Sequence, residues 1–224
     1  MFSWIKTKVK EYWSSPPQAL EDEMQAQHDL TGRGAAPWEI GRPQSSFVSL
    51  AQSQQIRGPV LDVGCGTGEN ALYLAGLGFD VNGVDSARAA IEMARDKAKV
   101  RQVRAYFRIV DALDLACLGT TFETVIDSGL FHLLTDEERR LFLAGLAVVL
   151  RPGGTYFMLG FSDQETREAP GRISEAEVRS LFQTGWTINY IRAAIFETRI
   201  HDGGANAWLA SITRTKSDEK QGER

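Results

Sequence analysis

The distribution of apolar and polar residues over most of the chain follows two alternating patterns. Short apolar runs, as at 59–61 and 122–126, predict buried strands, whereas the single apolar stripe of 87–98 predicts an amphipathic helix. Alternation of strands with helices predicts a parallel sheet with helices on both faces. The last two predicted strands, 186–191 and 207–213, have no convincing crossover helix between them, so we expect them to be antiparallel.

Two helix starts are marked by a capping box, in which Ser or Thr is followed three residues later by Glu. Thr135 with Glu138 predicts a helix that runs through Val149. Ser174 with Glu177 predicts a second helix further along the chain. Both fall after predicted strands, as the alternating pattern requires.

The N-terminal residues are predicted to form a helical extension separate from the main domain. Apolar residues of 1–13 fall on one face at helical spacing, and Lys6, Lys8 and Lys10 flank that face. Such a basic amphipathic helix either docks on its own domain or makes a weak contact with a membrane surface, and its short length favours docking. The expected parts of the chain are a lid at 1–34, a main domain at 35–215 and a disordered polar tail at 216–224.

Length and composition fit a single α/β domain with additions. The chain has 224 residues, of which 43% are hydrophobic, and a net charge of −4 that gives no case for nucleic acid as the main partner. No apolar stretch reaches the roughly 18 residues needed to span a bilayer, and lysines interrupt what would be a signal peptide. The two cysteines, Cys65 and Cys117, suggest no disulfide framework, so a reducing cytoplasm is the expected location.

A glycine-rich turn at 61–70 lies between a predicted strand and a predicted helix. Its three glycines follow the pattern G-x-G-x-G, and Asp62 stands two residues before the first of them. A dinucleotide fingerprint would need Gly or Ala where this chain has Glu69. Glycines let the backbone approach a ligand closely, and the helix start offers free N–H groups, so the turn predicts a nucleotide-like ligand with a carboxylate.

Acidic residues follow three successive predicted strands. Asp85 ends the second strand, Asp111 follows the third and Asp127 follows the fourth. In an open parallel sheet, ligands bind outside the carboxyl ends of the strands. Three acids beside a glycine loop therefore predict one polar cleft, although Asp85 also fits the simpler role of a cap for the helix that Ser86 opens.

Together these motifs resemble the class I S-adenosylmethionine-dependent methyltransferases over roughly residues 35–215. The resemblance rests on the turn at 61–70, the three acids and the run Leu150 to Gly154. It implies a Rossmann-like, doubly wound sheet of seven mostly parallel strands with a final antiparallel strand. The segment 37–44 also resembles the small-molecule branch that includes thiopurine-, thiol- and halide-methylating enzymes.

The resemblance implies S-adenosylmethionine as the cofactor. Asp85 would hold the ribose hydroxyls, Asp111 the adenine amino group, and Asp127 would lie beside the methionine end. Arg42 would pair with the cofactor carboxylate or form a surface salt bridge, and Trp38 would pack on the sulfonium or anchor the core. The positions expected to bind the cofactor are Trp38, Arg42, Asp62, Gly64, Gly66, Gly68, Asp85, Ser86, Asp111, Ala112 and Asp127.

The acceptor half of the cleft is expected to be aromatic, which suits a small aromatic or lipophilic molecule. Trp38, Phe131, His132 and Phe161 are the candidate acceptor-binding residues. His132 is also the candidate catalytic base for an oxygen or nitrogen acceptor; the alternative is a buried histidine or one that shapes the pocket. A thiolate or halide acceptor would need no base, and no residue spacing predicts a metal site.

Two other functions fit parts of the pattern. A nicotinamide-dependent oxidoreductase would use a similar sheet, but Glu69 and the antiparallel final strands speak against it. A non-catalytic protein that binds S-adenosylmethionine would keep the same ligand motifs. The expected partner is a small-molecule acceptor, and no feature of the sequence defines an oligomeric state.

Overall fold

The computed structural model describes residues 36–167, 169 and 171–215. The predicted lid at 1–34 and the predicted tail at 216–224 lie outside the described residues. Among the described residues, no helix is long and apolar enough to cross a bilayer.

In the part of the chain that the structure describes, seven strands form one mixed sheet, and helices connect most of them. The strands are β1 (Val60–Val63), β2 (Val81–Asp85), β3 (Tyr106–Ile109), β4 (Phe122–Ser128), β5 (Leu150–Phe161), β6 (Trp186–Phe196) and β7 (Ala205–Arg214). The α-helices of the described residues are α1 (Ser45–Gln52), α2 (Glu69–Gly76), α3 (Arg88–Val100), α4 (Asp136–Val149) and α5 (Glu175–Leu181). Short 3-10 turns lie at Ala112–Leu118 and Phe131–Leu133.

The sheet order is β3-β2-β1-β4-β5-β7-β6. Neighbours from β3 to β5 are parallel, whereas β7 is antiparallel to both β5 and β6. The predicted fold class and the predicted antiparallel final pair are therefore confirmed. The order reverses between β1 and β4, which opens a crevice at the carboxyl ends of these strands.

β4 and β6 extend beyond the apolar runs that predicted them. β4 continues to Ser128, so Asp127 lies within the strand and not after it. β6 continues to Phe196, five residues beyond the predicted end at Ile191. Residues of β6 are largely half-buried or exposed, and a strand with such a surface has no apolar run to mark its end.

The two predicted capping boxes are confirmed. The Thr135 side chain accepts the Glu138 N–H at the start of α4, and the Glu138 carboxylate accepts the Thr135 N–H at 2.9 Å. Ser174 and Glu177 make the same reciprocal pair at the start of α5. Each pair satisfies N–H groups that the helix itself leaves without a partner.

Two hydrophobic clusters pack on the sheet. Successive residues of β5 divide between them: Tyr156 belongs to one cluster and Phe157 to the other, as alternation along a strand requires. In the first cluster, Phe131 packs against Phe142 and Tyr156 at ring-centroid distances of 5.6 and 6.4 Å. This aromatic packing supports the turn that follows β4.

Candidate functional site

The glycine loop between β1 and α2 is tied to the end of β2. Gly64, Gly66 and Gly68 all have positive φ, at 68°, 54° and 87°, a backbone region that favours glycine. One oxygen of the Asp85 carboxylate accepts the Gly66 N–H at 2.9 Å, and the other accepts the Ala87 N–H at 2.7 Å. Asp85 is not a side-chain cap of α3, whose N-cap is Ala87; it accepts the Ala87 N–H before the helix and holds the glycine loop in place.

Residues 37–44 cross the site, and we call this segment the strap. At one end the Glu39 carboxylate accepts hydrogen bonds from the backbone N–H and the hydroxyl of Thr67 in the glycine loop. The Lys97 ammonium of α3 donates to the same hydroxyl at 2.5 Å and pairs with Glu69 at 2.7 Å. The strap, the glycine loop and α3 therefore share one polar network.

The strap is also tied to the residues around the end of β6. The buried Gln44 side chain donates to the Glu197 carbonyl and accepts the Glu197 N–H, each at 2.9 Å. Arg42 pairs with the Glu197 carboxylate at 2.8 Å, and the Arg199 N–H donates to the Pro37 carbonyl at 2.8 Å. For Arg42, the structure shows the salt bridge that was the alternative to a cofactor contact.

A cavity of about 200 Å³ lies between the strap, the glycine loop and the carboxyl ends of the central strands. Its wall also includes Ser128 to Leu130 after β4 and Phe196 at the end of β6. Half of the predicted site residues meet there, and these are Trp38, Arg42, Gly64, Gly66, Asp85, His132 and Phe161.

Two predicted acids lie beneath the cavity and are not part of its wall. Asp62 is 1% exposed, and within the described part of the chain its carboxylate has no hydrogen-bond partner. Burial raises the pKa of Asp62 to about 8, and the negative charge of Asp127 adds to the shift. Asp62 is therefore largely protonated at neutral pH.

Asp127 is used to build the turn that follows β4. Its carboxylate accepts the N–H groups of Leu130 and Phe131 at 2.8 and 3.0 Å and the Tyr156 hydroxyl at 2.8 Å. Burial raises its pKa to about 6, although these hydrogen bonds act in the opposite direction. Asp127 thus fixes the backbone that carries His132.

The remaining predicted cofactor positions also lie outside the cavity wall. Asp111 accepts the Leu113 N–H at 2.8 Å and so caps the first 3-10 turn. A Cβ at Gly68 would lie 2.9 Å from the Phe107 ring, so this glycine is required by packing. Ser86 and Ala112 are half-buried next to Asp85 and Asp111.

The acceptor side of the cavity is aromatic. The His132 ring lies 4.6 Å from the Phe161 ring between centroids, and Phe161 meets Phe196 edge to face at 5.0 Å. Burial lowers the pKa of His132 to about 3, and the positive charge of Arg139 adds to the shift. Phe131, a predicted acceptor contact, is instead fully buried in the core.

Sequence reasoning missed Glu39, Gln44, Phe196 and Glu197. The strap itself was singled out because of its resemblance, but Gln44 and Glu197 are separated by 153 positions. No local pattern predicts such a pair. In the described residues, no group of three His, Cys, Asp or Glu side chains is placed to hold a metal ion.

Comparison with known proteins agrees with this arrangement. Residues 60–154 match the family described as "Methyltransferase domain". A 2-heptyl-1-hydroxyquinolin-4(1H)-one methyltransferase from Mycobacteroides abscessus is 31% identical over 201 residues, which cover 83% of this chain and 88% of that protein.

Solved structures give the same result. The structure titled "Conversion of a Disulfide Bond into a Thioacetal Group during Echinomycin Biosynthesis" has a TM-score of 0.74 and 36% identity, and covers 82% of this chain and 87% of that chain. Magnesium protoporphyrin IX methyltransferase from Synechocystis, at 19% identity, shares the fold with a TM-score of 0.62 over 94% of this chain and 90% of that chain. The chain therefore belongs to the class I S-adenosylmethionine-dependent methyltransferases.

Proposed function

We propose that this methyltransferase acts on the hydroxyl oxygen of a small, planar aromatic acceptor. The observation that carries the proposal is the aromatic wall of the cavity, where Phe161 lies between His132 and Phe196 and Trp38 of the strap also faces the cavity. Flat apolar rings favour flat ligands, because stacking and burial of apolar surface both reward planarity. The Mycobacteroides abscessus relative is named for an acceptor of this kind, a hydroxylated quinolinone.

The residues of the site fit S-adenosylmethionine. Gly64 and Gly66 present backbone to the cavity, and Asp85 lies at the end of β2. Of the acids on the cavity wall, Glu39 and Glu69 pair with Lys97 and Glu69 also pairs with Arg101, which leaves the Asp85 carboxylate to meet a ligand. We infer that the glycine loop and Asp85 hold the cofactor, and that Trp38, His132 and Phe161 contact the acceptor.

When bound, S-adenosylmethionine supplies a methyl group that is already activated by its positive sulfur. The protein's task is then mainly to place the acceptor oxygen in line with that group and to keep water out. The strap closes the cavity on one side, and the turn fixed by Asp127 closes it on another. These walls perform both tasks without a catalytic triad.

The proposal is tested by offering matched acceptors and identifying the product by mass spectrometry. The panel pairs 1-hydroxyquinolin-4(1H)-one with quinolin-4-ol, a phenol, a cyclohexanol of similar size and an aromatic thiol. We expect methylation of the planar hydroxyl compounds, fastest for the acidic N-hydroxy compound, and no product with cyclohexanol. Transfer confined to the thiol would overturn the proposal, and Asp85→Ala serves as the variant with impaired cofactor binding.

The other expectations about partners stay predictions. Docking of residues 1–13 on the domain is favoured over a membrane contact because the predicted helix is short. A truncation that removes these residues should leave vesicle binding unchanged and alter acceptor affinity. The net charge of −4 supports the absence of nucleic acid as a partner, and the cysteine pattern supports a cytoplasmic location.

A further inference from the structure

His132 is held in a fixed place by the backbone around it. The Asp127 carboxylate fixes the turn that carries it, through the N–H groups of Leu130 and Phe131. Glycines leave room for the ring: a Cβ at Gly160 would lie 3.2 Å from His132 Nδ1, and one at Gly171 would lie 3.4 Å from Cδ2. The ring therefore packs closely against the backbone at Gly160 and Gly171.

The hydrogen bonding of His132 is not that of a general base. Nδ1 is buried against Gly160 and has no partner among the described residues. A histidine that takes a proton at Nε2 normally donates Nδ1–H to a carboxylate or carbonyl, which fixes the tautomer and stabilises the imidazolium. His132 has no such acceptor, so the tautomer with the proton on Nε2 is favoured, because a buried unpaired acceptor costs less than a buried unpaired donor.

The charges around the ring also disfavour an imidazolium. The positive charge of Arg139 in α4 disfavours protonation of His132, and its effect adds to that of burial. From β5 the ring is contacted by Gly160 and Phe161, which carry no charge. The other charged or titratable groups of the cavity are Glu39, Arg42, Cys65, Glu69, Asp85 and His201.

We propose that His132 is a neutral hydrogen-bond donor that positions acceptors whose oxygen is already ionised in water. Because Nδ1 faces Gly160, Nε2 is the nitrogen available to a ligand in the cavity. The enzyme then selects acidic hydroxyls, such as N-hydroxy heterocycles and enolic or vinylogous acids, and discriminates against ordinary alcohols and weakly acidic phenols. This inference rests on the proposed function, since it assigns the acceptor to the same cavity.

The proton balance of the reaction follows from this assignment. The acceptor loses its proton to bulk water before it binds, and no proton passes to the protein. The electron pair of the acceptor oxygen forms the new O–CH3 bond, and the electron pair of the broken S–CH3 bond stays on sulfur. His132 keeps its proton throughout and contributes by orientation.

The test measures the ionisation of a bound acceptor without turnover. 1-Hydroxyquinolin-4(1H)-one is titrated with pH in the presence of S-adenosylhomocysteine, and its absorbance reports the anion. We expect the wild-type protein to lower the pKa of the bound acceptor by about one, because the bound anion gains a charge-assisted hydrogen bond. His132→Phe, which keeps a flat ring but loses the donor, should abolish the shift and weaken binding of the anion about tenfold.

His132→Gln is the second variant, because an amide can still donate to the acceptor. It should keep most of the shift, whereas a residue with only a packing role would give equal results in both variants. Thermal melting and S-adenosylhomocysteine affinity establish that each variant is folded. If His132→Phe does not fold, His132→Leu, which also lacks the donor and has a smaller side chain than Phe, takes its place beside His132→Gln.

The pH dependence of kcat/KM provides the outcome that would overturn the inference. If acceptors are selected as anions, the apparent pKa in the profile changes from one acceptor to the next and follows the acidity of each. A constant pKa between about 6 and 7 that disappears in His132→Gln would identify His132 as a base. If the wild type forms no O-methylated product with any acceptor, the proposed function is refuted. The absorbance titration requires no turnover, so its result distinguishes that failure from a failure of this inference.

Discussion

Gln44 and Glu197 hold each other through two hydrogen bonds of 2.9 Å between the Gln44 amide and the Glu197 backbone. Gln44 is buried, and its own N–H donates to Asn70 at the start of α2. Gln44 thus joins the strap to α2 and to the residue that follows β6. The shape of the cavity depends on this joint.

Gln44→Ala should loosen the strap without unfolding the domain. The substitution leaves the Glu197 N–H and carbonyl unpaired, which costs about 1–3 kcal/mol. We expect faster hydrogen exchange in peptides that cover residues 37–44 and about tenfold weaker acceptor binding. Gln52→Ala, at the exposed end of α1, is the control that should change neither. Unchanged protection of the strap would show that its other contacts are sufficient.

Asp85→Ala should weaken cofactor binding by more than the loss of a single hydrogen bond between Asp85 and the cofactor would. The variant removes the acceptor for two N–H groups, those of Gly66 and Ala87, so the glycine loop also loses its anchor. We expect binding of S-adenosylhomocysteine, measured by calorimetry, to fall at least 30-fold, which corresponds to about 2 kcal/mol. Glu92→Ala on the exposed face of α3 should bind as the wild type does. A change below twofold in Asp85→Ala would contradict this role.

Asp62→Asn should remove part of the pH dependence of stability. The pKa of Asp62 is about 8 in the folded chain, well above its ordinary value of 3.8, so the folded state binds this proton more tightly than the unfolded state does. The free energy of unfolding therefore falls as pH rises from about 4 to about 8 and then levels off. Asp127, with a pKa of about 6, adds a smaller fall over the lower part of that range.

The neutral amide of Asp62→Asn carries no such proton. Its stability should match that of the wild type at about pH 4 and exceed it by about 2 kcal/mol at pH 8, since each unit of pKa displacement corresponds to about 1.4 kcal/mol and relaxation reduces the sum. Urea unfolding at several pH values measures the slope. Asp114→Asn, at an exposed position, should keep the wild-type slope. Equal slopes for Asp62→Asn and wild type would disprove the assignment.

Gly83→Ala should destabilise the fold through a steric clash alone. A Cβ at Gly83 in β2 would lie 2.6 Å from the Phe107 ring and 3.0 Å from the Cys65 sulfur. We expect a loss of about 1–3 kcal/mol in thermal unfolding, and the additional change Phe107→Leu should restore part of it. Gly76→Ala, where nothing lies within 4 Å of the added Cβ, should be neutral or slightly stabilising. A neutral Gly83→Ala would mean that Phe107 can move freely.

The alternation of strands and helices was sufficient to predict the sheet, including the antiparallel final strand. It was not sufficient to separate the acids that follow the strands. Asp85 reaches the cavity wall, whereas Asp127 lies within β4 and is enclosed by Tyr156 and the turn that follows. Whether a side chain at the end of a strand is exposed depends on the residues that pack over it. For Asp127 these include Tyr156, which is 29 positions away in the sequence.

The aromatic residues show the same limit. Phe131 and Phe161 both follow or end strands on the cleft side, yet Phe131 is core and Phe161 is cavity wall. The difference arises because Phe131 turns towards Phe142 of α4, whereas Phe161 meets His132 and Phe196. Partners so distant in sequence become visible only when the tertiary packing is known.

The joint between Gln44 and Glu197 has a consequence for synthesis on the ribosome. The glycine loop and Asp85 leave the ribosome first, but Phe196 and Glu197 are made more than a hundred residues later. At about 5–20 residues per second, the nascent chain spends roughly 5–20 s with half of its cavity missing. During that interval the strap can contact the glycine loop and α2 but not Glu197, so the acceptor side of the cavity is completed only when the last strands are added.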